Sequence, residues 1–164
     1  MKKILASSIL ATAAITTGCA TTANAALTVT PKLGYVASTN GQAGRDKRDS
    51  AVYGVGLAVD AKPGTAVELE YLRSGDSRKY NTTAINLYQN LAGNNYAMIG
   101  VGHVANSKIG NQLAGQYGVG HKFATGTALP LKAEIRSVHY LENSTSLKQR
   151  SHEVQLLVGT EFKF

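Results

Sequence analysis

From Leu27 onward the chain alternates apolar and polar residues with a period of two, the mark of strands whose two faces meet different surroundings. Leu27, Val29, Leu33 and Tyr35 share one face, with Thr28, Thr30, Lys32 and Gly34 on the other. Between Ala51 and Val59, Tyr53, Val55, Leu57 and Val59 stand opposite Val52, Gly54, Gly56 and Ala58. Val67, Leu69 and Tyr71 oppose Glu68 and Glu70, so two carboxylates fall on one face. A run from about Thr82 to Leu91 sets Ile85 and Leu87 against Asn86, Tyr88 and Asn90, and the next sets Ala97, Ile99 and Val101 against Met98, Gly100 and Gly102. Leu113, Tyr117, Val119 and Phe123 then oppose Gln112, Gln116, Gly118, Gly120 and Lys122. The alternation is sharpest where Leu131, Ala133 and Ile135 face away from Lys132, Glu134 and Arg136. In the last run Val154, Leu156, Val158, Phe162 and Phe164 oppose Glu153, Gln155, Glu161 and Lys163. Eight strands are predicted.

The connections carry their own signals. Lys62-Pro63-Gly64 and Gly93-Asn94-Asn95 read as tight turns, because Pro fixes φ and Gly permits the reversal. Polar loops span Thr39 to Asp49 and Glu142 to Arg150, and a short one runs from about Asn106 to Asn111. Tight turns alternating with longer charged loops are expected when one end of a set of hairpins faces the periplasm and the other the exterior.

Eight such strands fit either a water-soluble barrel with an apolar lining or a membrane barrel with an apolar exterior. The second face decides between them. Lys32, Glu68, Glu70, Lys122, Lys132, Glu134, Arg136 and Glu153 would be too many ions for a dry soluble core, but in an inverted barrel they can pair with one another as an interior charge ladder. Aromatic residues near the strand ends agree, with Tyr35, Tyr53 and Tyr71 toward the long loops and Phe123, Phe162 and Phe164 toward the tight turns, as two interfacial girdles would require. The predicted fold is all-β: an eight-stranded antiparallel up-and-down transmembrane barrel.

Residues 1–25 carry a different message. Lys2 and Lys3 precede an apolar run from Ile4 to about Ile15 and a small-residue stretch ending Ala23-Asn24-Ala25, the order of a cleavable signal peptide. The run is shorter than the roughly 18–20 residues a spanning helix needs. Barrel reasoning therefore starts at residue 26, and residues 26–164 suit one domain. Cys19, the one cysteine, precedes the cut, so a mature chain would have no disulfide and no thiolate ligand. Thr16-Thr17-Gly18-Cys19 resembles a lipoprotein processing site in which Cys19 is lipidated, with Thr16 standing where a large apolar residue is usual; that alternative stays open.

Composition narrows the partners. The formal charge of +7 loses only Lys2 and Lys3 with the leader, and a basic balance could suggest nucleic acid. The cations instead gather in connections: Arg45, Lys47 and Arg48 in one, Arg73, Arg78 and Lys79 around a second, Lys108 in a third, Lys148 and Arg150 in a fourth. An exported protein with basic loops is expected to meet anionic membrane phosphates and not nucleic acid, which makes Arg45, Lys47, Arg48, Arg78, Lys79, Lys148 and Arg150 candidates for lipopolysaccharide contact.

Other motifs weigh less. Gly100-Val101-Gly102-His103-Val104-Ala105 matches a loose dinucleotide fingerprint, but no helix follows to cradle a pyrophosphate, and small residues thinning a barrel's inner face explain it. His103, His121, His139 and His152 lack the grouping of a metal site, so neither metal nor cofactor is expected. Ser137 and His139 lie two apart on the outward face of the seventh strand.

The C-terminal stretch Val158-Gly159-Thr160-Glu161-Phe162-Lys163-Phe164 resembles the assembly signal of bacterial outer-membrane proteins, carried by Gly159, Phe162 and Phe164, with Leu157 where a polar residue is usual. That resemblance implies recognition by the outer-membrane barrel assembly machinery. Tyr96-Ala97-Met98-Ile99-Gly100-Val101-Gly102-His103, and Gly115-Gln116-Tyr117-Gly118-Val119-Gly120 through Leu131-Lys132-Ala133-Glu134-Ile135-Arg136, resemble the transmembrane domain of the OmpA family. Thr28-Val29-Thr30-Pro31 and Val67-Glu68-Leu69-Glu70-Tyr71 extend the likeness over most of residues 26–164. It implies a barrel with a polar, salt-bridged interior that anchors the envelope or passes small solutes weakly. Full-length members continue into a peptidoglycan-binding domain, and nothing follows Phe164 here, so cell-wall tethering is not expected.

Val138-His139-Tyr140 and Ser146-Leu147-Lys148-Gln149 resemble lipid A deacylase barrels of the PagL type, whose serine follows the histidine by two positions. Leu141 occupies that position, and leucine has no hydroxyl for acyl transfer, so Ser137 or Glu153 would have to substitute. The expectation is a monomeric, non-enzymatic structural barrel of the outer membrane, in contact with its lipids, with a plugged lumen or weak porin-like conductance. A deacylase and a surface adhesin are the alternatives.

Overall fold

The computed structural model describes residues 26–38, 50–75, 81–106, 110–124, 130–141 and 152–164. The leader, and the basic loop residues Arg45, Lys47, Arg48, Arg78, Lys79, Lys108, Lys148 and Arg150, lie outside the described residues. The strands are β1 (Leu27–Ser38), β2 (Ser50–Lys62), β3 (Thr65–Ser74), β4 (Asn81–Asn90), β5 (Asn95–Asn106), β6 (Gly110–Phe123), β7 (Leu131–Tyr140), β8 (His152–Thr160) and a short β9 (Phe162–Lys163).

Each strand pairs antiparallel with its sequence neighbours, and β1 closes the sheet by pairing with both β2 and β8. Closure removes the free edges that an open sheet would present. β9 continues β8 in the same register on β1, with Lys32 opposite Gly159 and Thr28 opposite Lys163. The break between them faces Thr30 and Pro31, and proline has no N–H to donate to the ladder. The result is an eight-stranded antiparallel barrel.

Turn chemistry follows the chain. Gly64 and Gly93 adopt φ of 80° and 67°, backbone that favours glycine, in the turns joining β2 to β3 and β4 to β5. The register shifts between Asp60 and Lys62, leaving a bulge beside the Pro63-Gly64 turn. These turns define a short-turn end, and the loops after β1, β3 and β7 define a long-loop end. The alternation has one departure: the chain passes from Asn106 to Gly110 in fewer residues at the long-loop end than it uses from Phe123 to Leu131 opposite.

The wall is inverted relative to a soluble protein. Leu33, Ile99, Val101, Val119, Ile135 and Leu156 point outward, and Leu33 is 64% and Ile99 62% exposed, while Glu68, Glu70, Arg136 and Glu153 are at most 1% exposed inside. Tyr35, Tyr53 and Tyr71 face out near the long-loop end, and Phe123 and Phe164 near the other. This is the transmembrane form of the eight-stranded barrel, whose outward rows are stable only in hydrocarbon.

Candidate functional site

The lumen holds three layers. At the long-loop end Val36, Val52, Leu72, Val104, Ala114, Val138 and Leu157 pack together as a buried apolar cluster. Val52 was placed on this face by its alternation, but its gathering with six other apolar residues was not anticipated. The cluster explains Leu157 at the usually polar position of the C-terminal signal: the side chain points inward into the cluster and is 3% exposed.

Below it lies an ionic network. Lys32 on β1 contacts Glu68 Oε1 and Glu70 Oε2 on β3, each at 2.5 Å. Arg136 on β7 grips the other side of Glu70, Nη1 to Oε1 at 2.6 Å and Nη2 to Oε2 at 2.7 Å, and pairs with Glu134 Oε1 at 2.6 Å. A guanidinium presents two parallel donors that match a carboxylate, which makes this the most directional contact of the set. Neutral groups complete it. Tyr88 donates its hydroxyl to Glu68 at 2.9 Å and Tyr96 donates to Glu134 at 3.1 Å, while Asn86 and Gln116 hydrogen-bond each other and reach Glu68 and Arg136. Buried charges are tolerable when paired in this way, although Arg136 Nε and Glu134 Oε1 make no hydrogen bond.

Such closeness depends on small residues across the ladder. A Cβ on Gly120 would strike the Tyr96 ring, and one on Gly56 would strike the Glu68 carboxylate. Glycine at these points lets each side chain lie flat on the opposing backbone.

The third layer, at the short-turn end, is a chamber of about 370 Å³ open to solvent. Lys132 lines it, with its ammonium 3.8 Å from the Tyr88 ring centre and 4.6 Å from that of Tyr96. Near the mouth Lys122 pairs with Glu161 at 3.1 Å.

The interior residues anticipated from sequence are therefore not one ladder. Lys32, Glu68, Glu70, Glu134 and Arg136 meet in the central network, Lys132 stands beside it against two rings, and Lys122 belongs to the mouth. Glu153 is buried further up β8, where its register partners are Ser38 and Val138. Tyr88 was legible as an inner-face residue, but the parts played by Tyr88, Tyr96, Asn86 and Gln116 were not anticipated. Their parity with the charged positions was the available signal. Of the C-terminal signal, Gly159 faces Lys32 across the ladder, Phe162 faces Val29, and Phe164 is 78% exposed.

On the outer wall Ser137 Oγ lies 3.0 Å from His139 Nε2, and the Tyr117 hydroxyl reaches the same nitrogen at 3.3 Å. His139 stacks on Tyr117 and neighbours His152, with ring centres 5.4 and 5.1 Å apart. Among the described residues no carboxylate engages this ring. Glu153, considered with Ser137 as a substitute for the missing serine, is buried on the opposite face of the wall. No group of residues able to hold a metal occurs among the described residues.

Fold and interior together define a class: closed eight-stranded barrels with a lipid-type exterior and an ion-paired core. Solved barrel structures resemble this chain in fold. The N-terminal β-barrel domain of Pseudomonas aeruginosa OprF matches with a TM-score of 0.58 at 15% identity, covering 82% of this chain and 97% of that one. Neisserial surface protein A matches with a TM-score of 0.59 at 11% identity, covering 86% and 100%. A de novo designed transmembrane β-barrel matches with a TM-score of 0.50 at 12% identity, covering 84% and 95%. No family model matches the chain, and no curated protein is similar to it in sequence. The likeness is one of fold.

Proposed function

We propose that this protein is a monomeric structural barrel of the bacterial outer membrane, OmpA-like in its transmembrane domain, exported by a leader over residues 1–25 and inserted as one domain over residues 26–164. The observation that carries the reading is the inversion of the wall, apolar rows outward and paired ions inward, on a chain that opens with a leader-like segment. The fold shared with the OprF domain and with a Neisserial surface protein supports it. In this reading the tight turns face the periplasm and the long loops the exterior, where Arg45, Lys47, Arg48, Arg78, Lys79, Lys148 and Arg150 meet the phosphates of lipopolysaccharide. Gly159, Phe162 and Phe164 address the chain to the assembly machinery. The protein works by occupying and bracing the membrane, with a lumen closed to steady solute flow.

Envelope fractionation with electrophoresis of unboiled and boiled samples tests the assignment. The protein is expected in the outer-membrane fraction and to change mobility on boiling; recovery in the soluble periplasm, or one mobility throughout, overturns it. Replacing Arg45, Lys47 and Arg48 with Ser is expected to lower the lipopolysaccharide that co-migrates with the folded barrel, and unchanged retention counts against the loop contacts.

A further inference from the structure

The chamber at the short-turn end contains a cation that makes no direct contact with the central carboxylates. Lys132 is 6% exposed, yet among the described residues its ammonium has no ion pair and no hydrogen bond to an oxygen. Its contacts are the faces of Tyr88 and Tyr96, whose ring centres lie 5.5 Å apart. Aromatic faces attract a cation but are poor acceptors for an ammonium's three N–H donors. The nearby carboxylates are engaged elsewhere: Glu68 accepts from Lys32, Tyr88 and Asn86, and Glu134 is ion-paired with Arg136 and accepts from Tyr96. Both tyrosine hydroxyls are committed to carboxylates, and Lys132 meets the rings at their faces. Lys132 lines the chamber, so its remaining donors can be reached from it.

We propose that this chamber is a binding site for a small oxyanion, a phosphate-like or carboxylate group held by the Lys132 ammonium. The central carboxylates Glu68, Glu70 and Glu134 are balanced by Lys32, Arg136 and Lys132, so the floor is neutral as a whole while presenting one uncommitted donor group. The mouth tips the balance further. Lys62, Lys122 and Lys163 line it with only Asp60 and Glu161 against them, which favours anion entry. Thr28 and Thr30 add hydroxyls to the wall, and 370 Å³ holds such an anion with part of its hydration shell. Binding would supply the charge-assisted hydrogen bonds that the ring faces cannot. The site depends on the closed barrel alone and not on which compartment the mouth faces.

The test is a titration of the full folded barrel in detergent with inorganic phosphate, at constant ionic strength set with chloride, read by NMR of lysines labelled at Cε and tyrosines labelled in the ring. Saturable shifts are expected at Lys132, Tyr88 and Tyr96 with little change at Lys32. In Lys132→Gln the apparent phosphate affinity is expected to fall by about tenfold or more, the loss of a charged hydrogen-bond donor, and Lys132→Arg should retain binding. Absence of saturation in the millimolar range, or an unaltered titration in Lys132→Gln, would show that water alone solvates this ammonium and overturns the site. Heat-modifiable mobility of each variant confirms that the barrel is folded. Should Lys132→Gln not fold, Tyr96→Phe keeps the ring face and the site, so a saturable shift of Lys132 in that variant sustains the assignment and its absence refutes it.

Discussion

Arg136 and Glu70 join opposite sides of the barrel, since β7 and β3 are separated by the same number of strands in either direction around the ring, and their two parallel contacts of 2.6 and 2.7 Å cross the lumen. Removing Arg136 leaves Glu70 with Lys32 and takes the counter-ion from Glu134, so the buried network carries an excess negative charge. Arg136→Met is therefore expected to lower folding stability by about 3–5 kcal/mol, whereas Arg136→Met with Glu70→Leu should recover much of the loss. Urea midpoints for folding into lipid vesicles measure both, and a double variant no better than the single one contradicts this account.

The crossing also bears on conduction. With the ion network beneath a cluster of Val52, Leu72, Val104 and Val138, a lumen filled by side chains is expected to hold ions back. Planar-bilayer recordings of the purified protein should give no sustained open level. A stable conductance in the unaltered chain would mean that the layers part in the membrane.

Glycine 120 supplies a packing test. Gly120→Val would drive a methyl group into the Tyr96 ring and disturb its bond to Glu134, at a cost of about 1–3 kcal/mol. Gly115→Val, where the nearest atom to a new Cβ is a Leu141 methyl at 3.9 Å, should be nearly neutral. Equal effects in a thermal mobility-shift assay would argue against the close approach of Tyr96.

The outer rows predict a depth profile. Ile99→Lys, near the middle of β5, should destabilise the membrane-inserted state by about 2–4 kcal/mol, and Leu131→Lys, at the end of β7, by about 0–1 kcal/mol. Refolding titrations in vesicles would reveal the difference; identical costs would mean that the barrel wall does not span hydrocarbon where its girdles imply.

Much of this was legible in one dimension. Period-two alternation assigned Leu33, Ile99 and Ile135 to one surface and Glu70, Lys132 and Arg136 to the other, because a strand offers a side chain only two directions. Pro63-Gly64 and Gly93 marked their turns for the same local reason. Alternation could not say that Val36, Leu72, Val104 and Leu157, inner-parity residues of four different strands, collect into one layer. Nor could it pair charges. Which carboxylate Arg136 meets depends on the stagger of eight strands and on side chains reaching across a closed ring, and that distance exists only once β1 and β8 have joined. The same closure sets Lys132 on two tyrosine rings from different strands, and so separates it from the acids its own sequence neighbourhood would suggest.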